Sequence, residues 1–282
     1  MIMVVTDSSC DLPQEVLKEL GIVIVPLVVR IGNDEFLETE LSIDEYWTKV
    51  KAAHSQGLFP QTSQPSIGAF EGVFAPLVDQ GNEVICITIT SHHSGTFNSA
   101  WAAAQKFGEA VSVVDSWQAS LALGFQAMAA AQAAREGASL SEVVALMREM
   151  RARTHLLAVL DTMEYVRMGG RADALIPILS RVMQFLQVKP IVGFVEGELK
   201  LLGQARTFSA ALAQVEQRMM ELQPFEHLAV VHTRQHHDAQ VWADHLKESM
   251  DFQGQILVGE TGAALSSHAG PGVIAAIGVE KG

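Results

Sequence analysis

The sequence predicts a two-domain α/β protein, in which a parallel-sheet α/β domain precedes an α+β domain. The chain has 282 residues, which is long for a single compact core. Apolar runs alternate with helical patterns over roughly the first 150 residues, as expected for a parallel sheet covered by helices. Hairpins mix with helices after that point. We therefore predict domains over residues 1–150 and 151–282, with a fixed cleft between them because no flexible linker joins them.

The first domain begins with a short apolar run, Met1–Val5, that predicts a buried strand. Asp11-Leu12-Pro13 then opens a helix with a proline in its first turn, and Gly21 ends that helix. The valine-rich run Ile22–Ile31 predicts extended structure, followed by a turn at Gly32-Asn33-Asp34.

Further elements follow from capping signals and composition. Ser42–Glu45 and Ser139–Glu142 have the spacing of capping boxes and predict two helix starts. The alanine-rich segment Gln118–Arg135 predicts another helix. Strands are predicted at three further apolar runs: Val84–Ile89, Val111–Val114 and Leu156–Leu160.

The second domain has a different order of elements. Ile191–Phe194 and Leu199–Leu202 flank Glu196-Gly197-Glu198 and predict a β-hairpin. A helix over Ser209–Leu222 is followed by strands at Leu228–Val231 and Ile256–Val258.

Composition excludes several classes of partner. The formal net charge is −13 and no run of lysine or arginine occurs, so neither nucleic acid nor an anionic membrane surface is an expected partner. The longest apolar run, Gly21–Val29, is about half a membrane span, which predicts no stable membrane insertion. Cys10 and Cys86 lack disulfide or metal-ligand spacing, and the N-terminus does not resemble a signal peptide, so a cytoplasmic location is expected.

Three short runs dense in hydroxyl groups and glycine carry the functional signal. They are Thr62–Ser66, Ser91–Thr96 and Ser266–Gly272. The second follows a predicted strand and precedes a predicted helix, so its free backbone N–H groups and the positive end of the helix dipole meet there. Gly95 permits close approach of a ligand, while Ser94 and Thr96 add hydroxyl donors. Together the runs indicate a site for one small anionic group, although ordinary helix capping also explains each run alone.

Other motifs have structural explanations beside functional ones. Arg167 and Arg171 flank Gly169-Gly170, which suits either a helix C-terminus or an arginine offered to a phosphate or a partner. His232, His236 and His237 have spacing compatible with a metal, but no acid or cysteine completes the ligand set, so we predict no metal site. Asp7 and Asp115 each end a strand, where they would either face a ligand or cap the next helix. Neither a Gly-x-Ser-x-Gly elbow nor a phosphate-binding glycine motif occurs, which weakens hydrolase and nucleotide-binding hypotheses.

Seven motifs in order resemble the DegV family of bacterial lipid-binding proteins, which includes the fatty-acid-binding subunits of fatty acid kinase. They extend over nearly the whole chain and are Val5–Pro13, Thr62–Ser66, Ser94–Ala100, Val113–Ser116, Gly169–Arg171, Lys189-Pro190 and His268–Gly272. The resemblance implies a two-domain protein that holds one long-chain fatty acid between its domains and needs no other cofactor. One departure is His92-His93 before Ser94, where the family often has a less polar pair.

The resemblance also implies roles for individual residues. The fatty acid carboxylate would be held by Thr62, Ser94 and His268, with Ser63, Gly95 and Thr96 beside it. Arg171 matches an arginine linked to interaction with a separate kinase catalytic subunit, which would make the acyl phosphate that an acyltransferase later uses. The protein itself would then be a carrier rather than an enzyme.

Alternatives stay open at this point. Ser94 and His268 could instead act as nucleophile and base in an acyl or phosphoryl hydrolase or transferase. A lipid sensor with no kinase partner would bind the same ligand. The apolar residues Ile176, Leu179, Met183 and Phe185 could line the tail channel, but each could equally belong to the core.

Overall fold

The computed structural model describes residues 1–169 and 188–282, which form three β-sheets with helices packed around them. In chain order the strands are β1 (Ile2–Asp7), β2 (Val23–Val25), β3 (Val28–Ile31), β4 (Asp34–Leu37), β5 (Gln61–Ser63), β6 (Glu83–Thr88), β7 (Val111–Asp115), β8 (Thr154–Val159), β9 (Lys189–Val195), β10 (Glu198–Ala205), β11 (Phe225–His232), β12 (Ile256–Glu260) and β13 (Ile274–Glu280).

Helices connect these strands over most of the chain. Those in the described residues are α1 (Gln14–Leu20), α2 (Ile43–His54), α3 (Ile67–Asp79), α4 (Thr96–Ala104), α5 (Leu121–Arg135), α6 (Leu140–Met150), α7 (Glu164–Met168), α8 (Phe208–Leu222), α9 (His236–Ser249) and α10 (Ala263–Ala269). Both predicted capping boxes are present, since Ser42 accepts the N–H of Glu45 and Ser139 accepts the N–H of Glu142. Gly21 ends α1 in the left-handed region with φ of 69°.

The predicted parallel sheet is confirmed in the first half of the chain. Its strand order is β2-β1-β6-β7, and every neighbouring pair runs parallel. The carboxyl ends of β1, β6 and β7 therefore meet at one edge, from which the chain continues into polar loops.

The apolar run Ile22–Ile31 does not form one continuous strand. Val25 pairs with Asp7 in the parallel sheet, whereas Val28 pairs with Ser63 in the small antiparallel sheet β4-β3-β5. Pro26 lies between the two strands, where it lacks the N–H that a continuous ladder would require. Likewise, α1 begins at Gln14, and Pro13 occupies its N-cap rather than its first turn.

The second half of the chain builds a mixed six-stranded sheet in the order β10-β9-β8-β13-β11-β12. The predicted hairpin is present as the antiparallel pair β9 and β10. Strand β13, which the sequence analysis did not identify, lies between β8 and β11. Helices α8 and α9 cover one face of this sheet.

Helix α5 joins the two large sheets. It contacts β1 and β6 on one side and β8, β11 and β13 on the other. Its alanine-rich sequence leaves little bulk between them, and most of its first three turns are buried. One apolar core consequently contains Ile85, Phe125 and Ile277 from both sides of residue 150. The division into domains 1–150 and 151–282 remains a prediction.

Candidate functional site

A cavity of about 180 Å³ lies between the inner face of the six-stranded sheet, the loops at the edge of the parallel sheet, and α10. Its apolar wall comes mainly from that sheet face. The sheet contributes Leu156, Ala158, Val192, Phe194, Leu199, Val231 and Ala275, and the residues Leu160 and Val273 that flank its strands continue the wall.

The wall follows from the alternation of side chains along each strand. Leu156 and Ala158 face the cavity from β8, whereas Leu157 and Val159 between and beyond them belong to the core under α8 and α9. In β13, Ala275 lines the cavity while Ala276 lies in that other core. Small side chains at 158 and 275 leave space above the sheet that larger residues would fill.

Polar residues from three separate segments reach this cavity. Thr62 is on β5, Ser94 follows β6, and His268 is on α10. The hydroxyl oxygen of Thr62 lies 2.6 Å from Nε2 of His268. Since neither residue is fully buried, this pair is positioned at the margin of the apolar wall.

The Ser94–Thr96 turn lies beside the Thr62 strand. The hydroxyl oxygens of Ser94 and Thr96 are 2.8 Å apart, and the N–H of Thr96 donates to Ser94 at 3.3 Å. A methyl group built on Gly95 would come within 2.9 Å of Nε2 of Gln64, so the two loops approach closely here and a larger residue at position 95 would displace the Gln64 side chain.

Four of the six residues predicted to hold a carboxylate line this one cavity. They are Thr62, Ser63, Ser94 and His268. Gly95 and Thr96 lie immediately behind the lining, where Gly95 contacts Gln64 and the buried Thr96 contacts Ser94. The roles of all six as ligand contacts stay predictions.

The two strand-ending aspartates serve the loops rather than the cavity. Asp7 accepts the N–H of Ile89 at 2.7 Å, and Asp115 accepts the N–H of Ser91 at 3.2 Å. Each carboxylate thus fixes the start of the loop that follows β6. Asp7 also caps the short turn Ser8–Cys10 through the N–H of Ser9, as the capping interpretation predicted, whereas Asp115 does not cap the next helix, α5, whose N-cap is Ser120. Burial raises the pKa of Asp7 to about 6, although hydrogen bonds from Ser9 and Ile89 oppose the shift.

The hairpin β9–β10 covers the same loop from the opposite side. Thr90 donates its hydroxyl to the carbonyl of Gly197 at 2.7 Å, and Nε2 of His93 accepts the N–H of Leu199 at 2.8 Å. His93 lines the cavity next to Phe194, at 5.9 Å between ring centroids, whereas His92 is exposed. The unusual histidine pair therefore contributes one ring to the wall.

The structure explains why the first position of the Gly169–Arg171 motif is a glycine. A methyl group built on this residue would lie 2.5 Å from Nδ1 of His268 and 3.0 Å from the carbonyl oxygen of Tyr165. The His268 ring therefore packs directly against the backbone at the end of α7. Glycine at 169 is a requirement of the site geometry.

Some predicted residues lie outside the described part of the chain. These are Gly170, Arg171 and the tail-channel candidates Ile176, Leu179, Met183 and Phe185. Within residues 1–169 and 188–282, no cluster of three or more His, Cys, Asp or Glu side chains is arranged to hold a metal ion. His232 is buried, and its Nδ1 accepts the N–H of Gln235 at 3.3 Å.

Sequence reasoning missed much of the wall. Ser120 lines the cavity just before α5. Leu27, which precedes β3, and Ala264 and Leu265 on α10 complete the wall. The alternation in Leu156–Leu160 was the available signal for the sheet residues. It could not indicate which face of the strand looks toward a ligand.

The fold and cavity define an α/β protein with a mainly apolar cavity that has polar side chains at its margin. A model of the DegV family, described as uncharacterised proteins, matches residues 1–281. A DegV domain-containing protein of Streptomyces coelicolor is 30% identical, with the alignment covering 98% of this chain and 97% of that protein. The chain therefore belongs to the DegV family.

Two solved structures are similar over their full length. A DegV family protein of Thermus thermophilus, described by its fatty acid binding, has a TM-score of 0.86 at 30% identity, covering 99% of both chains. DegV of Bacillus subtilis, described as a fatty acid binding protein, has a TM-score of 0.87 at 27% identity, again with 99% coverage of both chains. The two-domain α/β fold class predicted from sequence is confirmed by these matches. In the described residues, every helix is too short or too polar to cross a bilayer.

Proposed function

We propose that this protein binds one long-chain fatty acid, with the tail against the six-stranded sheet and the carboxylate at the Thr62–His268 pair. The observation that carries the proposal is this pair, 2.6 Å apart, at the margin of a wall that is otherwise mainly apolar. In this proposal the residues that donate hydrogen bonds to the fatty acid carboxylate are Thr62, Ser63, Ser94, Gly95, Thr96 and His268. Two relatives described as fatty acid binding support it.

The energetics favour such a ligand. A carboxylate taken from water is costly unless several donors meet it, and hydroxyls, an imidazole and helix-start N–H groups are available here. Burial of each methylene contributes roughly 0.8 kcal/mol. A tail of about fifteen methylenes therefore supplies on the order of 12 kcal/mol before the cost of association. The tail provides affinity, and the head group fixes orientation.

The proposed carrier presents its ligand to a separate kinase in the cytoplasm. The sequence contains no phosphate-binding glycine motif for ATP, so phosphorylation of the carboxylate requires a partner. Arg171 is the residue proposed to contact that kinase, and an acyltransferase would consume the acyl phosphate. Replacement Arg171→Ala is expected to leave fatty acid binding intact while reducing acyl phosphate formation in the presence of a fatty acid kinase.

The hydrolase alternative has less geometric support. Nε2 of His268 is hydrogen-bonded to Thr62, and the hydroxyl of Ser94 is bonded to Thr96. These described bonds direct both groups to partners other than each other.

Native mass spectrometry of freshly purified protein, followed by lipid analysis after denaturation, tests the proposal. We expect a single adduct that resolves to a long-chain fatty acid, or stoichiometric uptake of added stearic acid by the emptied protein. Protein that carries no acyl chain and takes up none contradicts the proposal. Hydrolysis of acyl esters that is lost in Ser94→Ala would favour the enzyme instead.

A further inference from the structure

The first turn of α10 is held by two acidic side chains from the opposite end of the chain. Oδ1 of Asp11 accepts the N–H of Gly262 at 2.9 Å, and Oε1 of Glu38 accepts the N–H of Ala264 at 2.6 Å. Gly262 is the N-cap of α10, and this helix supplies His268 to the cavity. Because N–H groups in a first turn have no partner within the helix, these carboxyls satisfy two of them.

Each carboxyl uses its second oxygen to hold another part of the cavity. Ser120 donates its hydroxyl to Oδ2 of Asp11 at 2.5 Å, and Ser120 itself lines the wall. Ser8 donates its hydroxyl to Oε2 of Glu38 at 2.5 Å. The same hydroxyl accepts the N–H of Leu27 at 2.9 Å, and Leu27 also lines the wall. Both acids therefore join α10 to a separate wall segment.

The surroundings show that this arrangement is costly. Glu38 is buried, and Asp11 keeps only partial access to solvent. Burial raises the pKa of Asp11 to about 7, and repulsion from Glu38 and Asp7 adds to that shift. Burial also raises the pKa of Glu38, with repulsion from Asp7 adding to it. Among the residues that the structure describes, neither acid forms an ion pair. Their stabilising partners are the N–H groups and hydroxyls just named.

We propose that Asp11 and Glu38 are positioning residues of the ligand site, which fix α10 so that His268 meets Thr62 and contacts the bound carboxylate. The proposal rests on the proposed function for its ligand. The further contact between the hydroxyls of Tyr46 and Ser267, 3.1 Å apart, holds α10 at its middle. The helix has only two turns, so displacement of its first turn moves the histidine in its second.

The test uses graded variants of the full-length protein. Asp11→Ala and Glu38→Ala remove both hydrogen bonds at each site. Asp11→Asn and Glu38→Gln keep the shape: the amide oxygen can still accept the helix N–H, and the amide NH₂ can donate to the serine. At a pH where the two carboxyls are ionised, their charge-assisted bonds are about twice as strong as the neutral bonds of an amide, so the amide variants should be intermediate in effect. Gln126→Ala is the control, since this buried glutamine on α5 hydrogen-bonds Ser116 and does not line the cavity.

The first readout is the ¹⁵N NMR signature of the His268 ring in ligand-free protein, assigned with His268→Gln. The second is stearic acid affinity by calorimetry, with melting temperature measured for every variant. We expect the alanine variants to shift the ring signals and weaken binding by about tenfold or more, and the amide variants to do so by about threefold. Gln126→Ala should change the melting temperature without either effect. Should an alanine variant fail to fold, its amide variant carries the test.

The proposal is overturned if the His268 signals stay unchanged in all folded variants of Asp11 and Glu38. It is equally overturned if the loss of stearic acid affinity is explained by the fall in melting temperature alone, so that Gln126→Ala shows the same relation between the two quantities as the variants of Asp11 and Glu38. A wild-type protein that binds no stearic acid contradicts the proposed function, but the ring signature in ligand-free protein still decides whether these acids position His268.

Discussion

The hydroxyl of Thr62 and the imidazole of His268 are hydrogen-bonded at 2.6 Å although 206 positions separate them in the chain. The bond connects β5 of the small antiparallel sheet to α10, the last helix before the final strand. It brings two of the three polar motifs to one point on the cavity. This margin of the cavity is thus complete only when segments distant in the chain are both in place.

Replacement of Thr62 by valine removes the hydroxyl that is hydrogen-bonded to His268 while keeping nearly the same side-chain volume. We expect Thr62→Val to weaken stearic acid binding by about tenfold or more. The variant would lose the proposed hydrogen bond from Thr62 to the carboxylate and the bond that orients the His268 imidazole. Titration calorimetry measures the change. The matched control is Thr154→Val, because Thr154 is buried and donates to the carbonyl of Met150 at 2.7 Å without lining the cavity. Equal losses in both variants would contradict a ligand role for Thr62.

The small residue Ala275 is expected to set how long a tail the wall accepts. Valine at this position projects additional methyl groups into the cavity, so Ala275→Val should weaken binding of stearic acid more than binding of lauric acid. The next residue, Ala276, faces the core under α8, and Ala276→Val should lower stability without changing the ratio of the two affinities. A ratio that is unchanged in Ala275→Val would place the tail elsewhere.

Local features of this fold were readable from the sequence because they depend on near neighbours. The capping boxes at Ser42 and Ser139 and the turn between β9 and β10 need only a few consecutive residues. The break at Pro26 was also readable, since proline cannot continue a strand ladder, but the valine-rich flanks suggested continuous structure. The polar loop before α4 was recognised from its strand-loop-helix order.

The site itself depends on tertiary contacts that periodicity does not contain. Whether Leu156 or Leu157 faces a ligand is decided by α8 and α9, which cover the other side of the sheet. The pairing of Thr62 with His268 was accessible only through resemblance to a family. The contacts of Asp11 and Glu38 with α10 could not be predicted from the sequence. An acid that accepts hydrogen bonds from a distant helix has the same local sequence as one that caps the helix next to it.

The buried carboxyl of Asp7 predicts a pH dependence of stability. Its pKa in the folded protein is about 6, above the ordinary value of 3.8, because burial outweighs its hydrogen bonds. The folded state therefore holds this proton more tightly than the unfolded chain, and the contribution of Asp7 to the free energy of unfolding should fall as pH rises from about 4 to 6. The free energy of unfolding, measured by urea unfolding at several pH values across that range, should therefore fall more with pH in the wild type than in Asp7→Asn. The control Asp79→Asn, at the exposed C-terminal end of α3, should keep the wild-type slope. Parallel slopes in wild type and Asp7→Asn would contradict the assignment.

The hairpin tip at Gly197 predicts a coupling between stability and ligand binding. This glycine has φ of +83°, and a methyl group on it would lie 2.8 Å from His92 and 2.9 Å from the hydroxyl of Thr90. Gly81 has nearly the same φ, +81°, with no atom near a built methyl group. Gly81→Ala should thus cost about 1 kcal/mol from backbone strain alone, and Gly197→Ala roughly 2 kcal/mol more from overlap with the loop.

The loop displaced in Gly197→Ala carries Ser94, so this variant should also bind stearic acid more weakly, whereas Gly81→Ala should bind it normally. Denaturant unfolding and calorimetry on both variants separate the two effects. Normal affinity in a destabilised Gly197→Ala protein would show that the hairpin supports the fold without fixing the Ser94 loop. Weak affinity confined to Gly197→Ala would establish that the β9–β10 tip holds this loop in its binding conformation, because the strain at the two glycines is matched and only the contact with the loop differs.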